Sequence, residues 1–131
     1  MVKWIEDVSA FHRACDIPIE TTPRIPHPAR QRLRASLIDE EINRELIPAI
    51  ETRRLLDIAD GIVDSIYVLI GAAIEYGIPL ERVWNAVQAA NMAKVDPTSG
   101  KVLRRDDGKI LKPHGWKPPN IEEALWPQGD F

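Results

Sequence analysis

A chain of 131 residues has room for one hydrophobic core and is short for two domains. Its 44% hydrophobic and 28% charged residues are ordinary for a soluble globular protein, and a net charge of −3 gives no general attraction for nucleic acid, so any phosphate site has to be local. The single cysteine, Cys15, excludes an internal disulfide framework and a cysteine-rich zinc site; it suits a reducing compartment, and an inert buried thiol is its simplest reading.

Residues Met1 to Asp7 lack the apolar core of a secretory signal. The most apolar run, Ile66 to Ile74, is far shorter than the roughly 20 residues that cross a bilayer. The expectation is a cytoplasmic protein with neither a membrane nor nucleic acid as partner.

Along the chain, Trp4, Ile5, Val8, Phe11 and Cys15 recur at helical spacing and predict an opening helix that Ile17-Pro18 ends. Pro18, Pro23, Pro26 and Pro28 make the following connector extended and stiff. Leu33, Leu37, Ile38, Ile42 and Leu46 predict a first long helix over 29–47, with Pro48 kinking or stopping it. A second helix is expected over 55–75, apolar nearly all round in its second half and therefore packed on both sides, with a stop and restart at Tyr76-Gly77-Ile78-Pro79. A third, over 80–94, turns Leu80, Val83, Trp84, Val87 and Ala90 toward a core. Residues 101–112 read as two short strands about an Asp107-Gly108 turn, followed by a proline-rich arm. The sum is one all-α domain: an N-terminal helix and connector over 1–28, the helices that carry the chemistry over 29–95, and a basic hairpin or irregular tail over 96–131.

The acidic residues carry the functional signal. At about 100° per residue, Glu41 and Glu45 lie beside the apolar stripe of Ile38 and Ile42, while Glu40 points away from it. Like charges one turn apart repel, and burial near the core adds several kcal/mol of desolvation per ion, a combination that a divalent cation offsets. On the second helix Asp57, Asp60 and Asp64 form a stripe, and Asp64 is the only charge between Ile62 and Ile74, where an unpaired aspartate is costly. Oxygen ligands with no local histidine or cysteine select magnesium or manganese over zinc. The competing reading is a solvated acidic face paired with Arg34, Arg44, Arg53 and Arg54.

The runs Leu37-Ile38-Asp39-Glu40-Glu41-Ile42-Asn43-Arg44-Glu45-Leu46, Asp57-Ile58-Ala59-Asp60-Gly61-Ile62-Val63-Asp64 and Asn91-Met92-Ala93-Lys94 resemble the MazG-like all-α nucleotide pyrophosphohydrolases, in the bacterial and phage branch related to dimeric dUTPase-like members. The resemblance implies Mg2+-dependent cleavage, with Mn2+ able to substitute, of a nucleoside triphosphate to monophosphate and pyrophosphate. It places Glu40 and Glu41 on the paired catalytic glutamates and assigns metal-holding roles to Glu41, Glu45, Asp57, Asp60 and Asp64, with the second motif in register either at Asp57/Asp60 or at Asp60/Asp64. The third glutamate of the first motif would fall at Arg44, and Glu45 comes one residue later. Asn91 and Lys94 match the nucleotide-contacting pair, and Lys109 is the first choice for a further phosphate contact within the basic cluster of Lys101, Arg104, Arg105, Lys109 and Lys112. The family also implies a homo-oligomer, dimer or tetramer, acting on a nucleotide pool. A dUTP- or dGTP-selective enzyme of the same fold and a non-catalytic helical assembly module are the alternatives. His12, His27 and His114 are too scattered for a site, and Trp116 is the least core-like of the aromatic residues.

Overall fold

The structure, a computed structural model, describes residues 2–127; the last four residues of the expected tail lie outside the described residues. The chain is all-helical, with α1 at Val2–Ala14, α2 at Pro28–Ile38, a π-helical segment at Asp39–Leu46, α3 at Ile47–Glu51, α4 at Leu55–Glu75, α5 at Leu80–Met92 and α6 at Ile121–Leu125. It divides after Ile78 into two compact units.

In the first unit, α4 packs against α1, α2, α3 and the π-helical segment. Its apolar core is small, centred on Val8, Ala49, Ile70, Ala73 and Ile74. A polar network therefore shares the work of joining the helices. Glu75 of α4, 1% exposed, accepts hydrogen bonds from Arg30 Nε at 2.7 Å and from Arg34 Nε, both on α2. His12 of α1 completes the network: a carbonyl can only accept, so His12 Nδ1–H donates to Pro18 O (3.3 Å), which leaves Nε2 as the acceptor facing Arg34 Nη2 (3.4 Å). Burial pushes the His12 pKa below its ordinary value, Pro18 partly opposes this, and the charge of Arg34 adds to the lowering. Burial pushes Glu75 upward, but the two guanidiniums outweigh it and hold the carboxyl below its usual range. Gly71 makes room for the network, since a Cβ there would meet Arg34 Nη1 at 2.7 Å and His12 Nε2 at 3.0 Å.

The stop expected at Tyr76-Gly77 is a Schellman closure, with Ile78 N–H on Ala73 O (2.9 Å), Gly77 N–H on Ile74 O (3.2 Å) and Gly77 at φ +64°. The proline-rich connector runs past this end of α4, its Glu20 N–H on Ile74 O and its Arg24 N–H on Tyr76 O.

Three expectations for this unit are corrected. Of the two outcomes expected at Pro48, a kink or a stop, the stop does not occur, since the helix runs on to Glu51: the wide-turn bond from Ile47 N–H to Ile42 O comes first, and Pro48 then sits in the first turn of α3, where a missing N–H costs little. Cys15 is exposed rather than buried, because α1 ends at Ala14 before its apolar spacing reaches that position. The second half of α4 is not covered all round, with Leu69 46% and Tyr67 37% exposed.

In the second unit α5 packs against α6, and Arg82 Nε donates to Ala124 O at 3.0 Å. Ala90 is buried in α5, whereas Trp84, expected in the core, is 58% exposed. The two expected strands shorten to isolated antiparallel bridges, Val95 with Val102 and Arg104 with Ile110, the second closing around Asp107-Gly108 with Arg105 N–H on Lys109 O. Among the described residues no helix is long and apolar enough to cross a membrane.

Candidate functional site

The site forms where the π-helical segment meets α4. Gly61 permits the approach: a Cβ there would lie 3.2 Å from Leu46 Cα and 3.2 Å from Leu46 Cδ1, so a larger residue would push the two helices apart. Ser65 holds the same turn, its Oγ–H donating to Gly61 O at 2.6 Å. One turn beyond Gly61, Asp64 meets Glu41 and Glu45, and one carboxylate oxygen from each lies within 4.8 Å of the others.

The three carboxylates are like charges brought close together. Burial, then hydrogen bonding with Glu45 and the charges of Glu45, Asp64 and Glu40, pushes Glu41 up to about 7. Burial, then the charges of Asp60 and Glu45, raises Asp64 as well. Glu41 Oε2 is buried and has no hydrogen-bond partner among the described residues. Three converging carboxylates, one with an orphaned oxygen, fit a hard divalent cation, which would neutralise their mutual repulsion and supply the bond that Glu41 Oε2 lacks.

Beside the trio opens a cleft of about 420 Å³, lined by Arg44, Glu45, Thr52, Arg54, Asp57 and Asp60 among others. Asp60 thus borders the trio, while Asp57 is ion-paired with Arg54 on the cleft wall. Glu40 is exposed, next to Glu41 but outside the trio. Arg44 turns away from the three acids, donating to Asp39 Oδ2 at 3.1 Å across five residues, the separation that a π turn brings together.

Of the expected nucleotide-contacting residues, Asn91 and Lys94 touch each other, Lys94 Nζ donating to Asn91 Oδ1 at 3.2 Å. Lys109 is exposed on the Asp107-Gly108 turn, its backbone N–H on Asp107 Oδ1. All three belong to the second unit.

Residue-type patterning did not single out Arg44 and Arg54 as cleft cations. Their signal was their position, each within a turn of an acid already under suspicion. Of the arginines of the solvated-face reading, Arg54 pairs with Asp57 as that reading expects, whereas Arg34 serves Glu75 and Arg44 serves Asp39, so none of these three pairs with the trio.

The chain is all-helical and gathers carboxylates on two packed helices beside an open cleft, an arrangement suited to an enzyme that works on phosphate groups through a bound metal ion. The profile of the phosphoribosyl-ATP pyrophosphohydrolase family matches residues 8–91, most of the chain, and the chain belongs to that family. It is therefore a nucleoside triphosphate pyrophosphohydrolase rather than a non-catalytic module. The match includes every acidic residue of the site and ends at Asn91, short of Lys94 and Lys109. No match was found among curated proteins.

Proposed function

We propose that this chain is a MazG-like enzyme of the bacterial and phage branch that converts a (deoxy)nucleoside triphosphate to its monophosphate and pyrophosphate, a dUTP- or dGTP-selective form being the alternative. The observation that carries this reading is the Glu41, Glu45 and Asp64 trio with its buried, unpartnered Glu41 oxygen. Those three side chains would hold Mg2+, or Mn2+ in its place, and Asp60 with Asp57 lies close enough along α4 to extend the acidic set into the cleft. When bound, such an ion lowers the pKa of water and neutralises phosphate charge.

The remaining steps belong to the chain's own residues. Glu41 is committed to the trio, so Glu40, exposed beside it, is the residue left to take the proton of the attacking water. Arg44 and Arg54 on the cleft wall offset charge on the departing pyrophosphate, and Asn91, Lys94 and Lys109 contact the nucleotide. Glu45 takes the role of the glutamate expected at position 44. The enzyme works as a cytoplasmic homo-oligomer in nucleotide-pool adjustment or house-cleaning.

The test is a panel of ribo- and deoxynucleoside triphosphates, with phosphoribosyl-ATP included, assayed with Mg2+ or Mn2+ while resolving monophosphate, pyrophosphate and orthophosphate. Monophosphate plus pyrophosphate, lost in a folded Asp64→Asn variant, is the expected result. Turnover of phosphoribosyl-ATP alone, or turnover unaffected by Asp64→Asn, would refute it.

A further inference from the structure

The last turn of any helix leaves carbonyls without intrahelical partners, and in α5 one of them is claimed by a distant side chain. Ala93 N–H bonds to Ala89 O and Lys94 N–H to Asn91 O, and the Trp116 indole N–H donates to Ala90 O at 2.7 Å. This bond seats a residue of the irregular tail against α5, half-buried. A turn with Trp116 N–H on Pro113 O, and with Gly115 at φ +81°, delivers it there.

Two ammonium groups lie over the seated ring. Lys112 Nζ is 4.7 Å from its centroid and Lys94 Nζ 5.2 Å. Each is attracted to the π-electron face, but sharing one ring also holds two like charges within about a Debye length of each other. Among the described residues neither lysine has a carboxylate within ion-pair distance, and the side-chain partner of Lys94 is the neutral Asn91 amide oxygen. Two acids of the same segment are engaged elsewhere, Asp107 with Arg105 and Asp96 with the Ser99 backbone. Two cations gathered on one ring without a counter-ion are complementary to an anion that carries several charges on adjacent oxygens.

We propose that Lys94, Lys112 and Trp116 form a phosphate-binding site, in which the indole holds the two ammonium groups in place to receive the phosphate chain of a nucleoside triphosphate. Lys112 is a binding residue that the acidic site and its motifs do not include, and Trp116 is a positioning residue acting through the lysines. Assigning the anion to the substrate rests on the pyrophosphohydrolase reading above; the anion site itself does not. A nucleic-acid strand is a poorer occupant, because the net charge of −3 repels a long polyanion.

The experiment is calorimetric titration of the full chain with inorganic tripolyphosphate in EDTA, which silences the acidic site, run beside turnover assays with metal. Tripolyphosphate is expected to bind wild type, Lys112→Gln to weaken it about tenfold, and Lys112→Arg to restore it. Trp116→Leu is expected to weaken binding likewise, while Trp116→Phe, which keeps a ring face, retains most of it. With metal, Lys112→Gln should raise KM more than it lowers kcat, a split that a purely structural role would not produce. No binding by wild type, or equal binding by folded Lys112→Gln and Trp116→Leu, overturns the site, and continued metal-dependent turnover in that case leaves the pyrophosphohydrolase reading standing. Tripolyphosphate binding without turnover of any triphosphate keeps the anion site and removes its assignment to substrate. Tighter binding of a single-stranded oligonucleotide than of tripolyphosphate overturns the proposal in favour of a nucleic-acid site.

Discussion

Glu41 holds its proton to about pH 7 in the folded, metal-free protein, against an ordinary value of 4.5 for the unfolded chain. Across that interval the folded state binds more protons than the unfolded one, so this group's contribution to stability is complete below about 4.5 and is lost as pH rises through about 7. Asp64 acts in the same direction, and His12, whose pKa is lowered, acts in the opposite one, its contribution present above 6.5 and lost as pH falls. Glu41→Gln should therefore raise the Tm of the EDTA-treated protein at about pH 8 by a few degrees and leave it nearly unchanged at about pH 5, while abolishing turnover. Calorimetry of the two proteins at both pH values decides this; equal differences at both would show that Glu41 is not carrying the strain. Added Mn2+ should by the same reasoning raise the wild-type Tm more at the higher pH, where the trio is ionised. The acids themselves were legible in the sequence because a lone charge in an apolar helix is conspicuous. Which of them converge was not: Asp57, Asp60 and Asp64 share one stripe, and only the arrival of Glu41 and Glu45 opposite Asp64 separates it from Asp57, which answers to Arg54.

The elements that bring these groups together depend on two glycines of α4. Gly61→Ala would press a methyl group against the Leu46 backbone, separating the π-helical segment from α4 at the point where the trio closes. The expected outcome is a folded protein whose Mn2+ affinity, read by calorimetric titration, falls about tenfold, about 1.4 kcal/mol; unchanged affinity would mean that the two helices can yield without moving their acids. Gly71→Ala instead intrudes on Arg34 and His12 inside a buried network, where overpacking costs about 1–3 kcal/mol, so it should lower the denaturation midpoint in urea. Helix α4 was legible from Leu55 to Glu75, since its apolar content is high and its end is marked by glycine. The π turn was not, because a separation of four or of five residues returns a side chain to nearly the same face of a wide helix, and an apolar pattern cannot distinguish them. The Glu75 network was invisible for a different reason: its members are 22 and 41 residues apart in the chain, and arginine, histidine and glutamate ordinarily signal surface.

At the scale of the whole molecule, α4 leaves several apolar side chains exposed. Leu55, Leu56 and Val63 all face solvent, and apolar side chains left exposed on one helix are where the proposed oligomer would assemble. Light scattering is expected to give a dimer or tetramer, and Val63→Glu to shift it toward monomer; a wild-type monomer at micromolar concentration would remove the oligomer from the proposal. The sequence pointed to a second half of α4 packed on both sides, and what one sequence does not reveal is which face the fold leaves exposed.

An extra residue in an ordinary α-helix rotates everything after it by about 100°, which here would swing Ala49 out of the core and Pro48 out of the first turn of α3. The wide turns between Asp39 and Leu46 absorb such a residue locally, leaving the faces of α2 and α3 where they were. This stretch is consequently a place where the helix can gain a residue in one event without losing its fold. Deleting Arg44 should run the event backwards, giving a uniform α-helix with its second carboxylate at the shorter spacing.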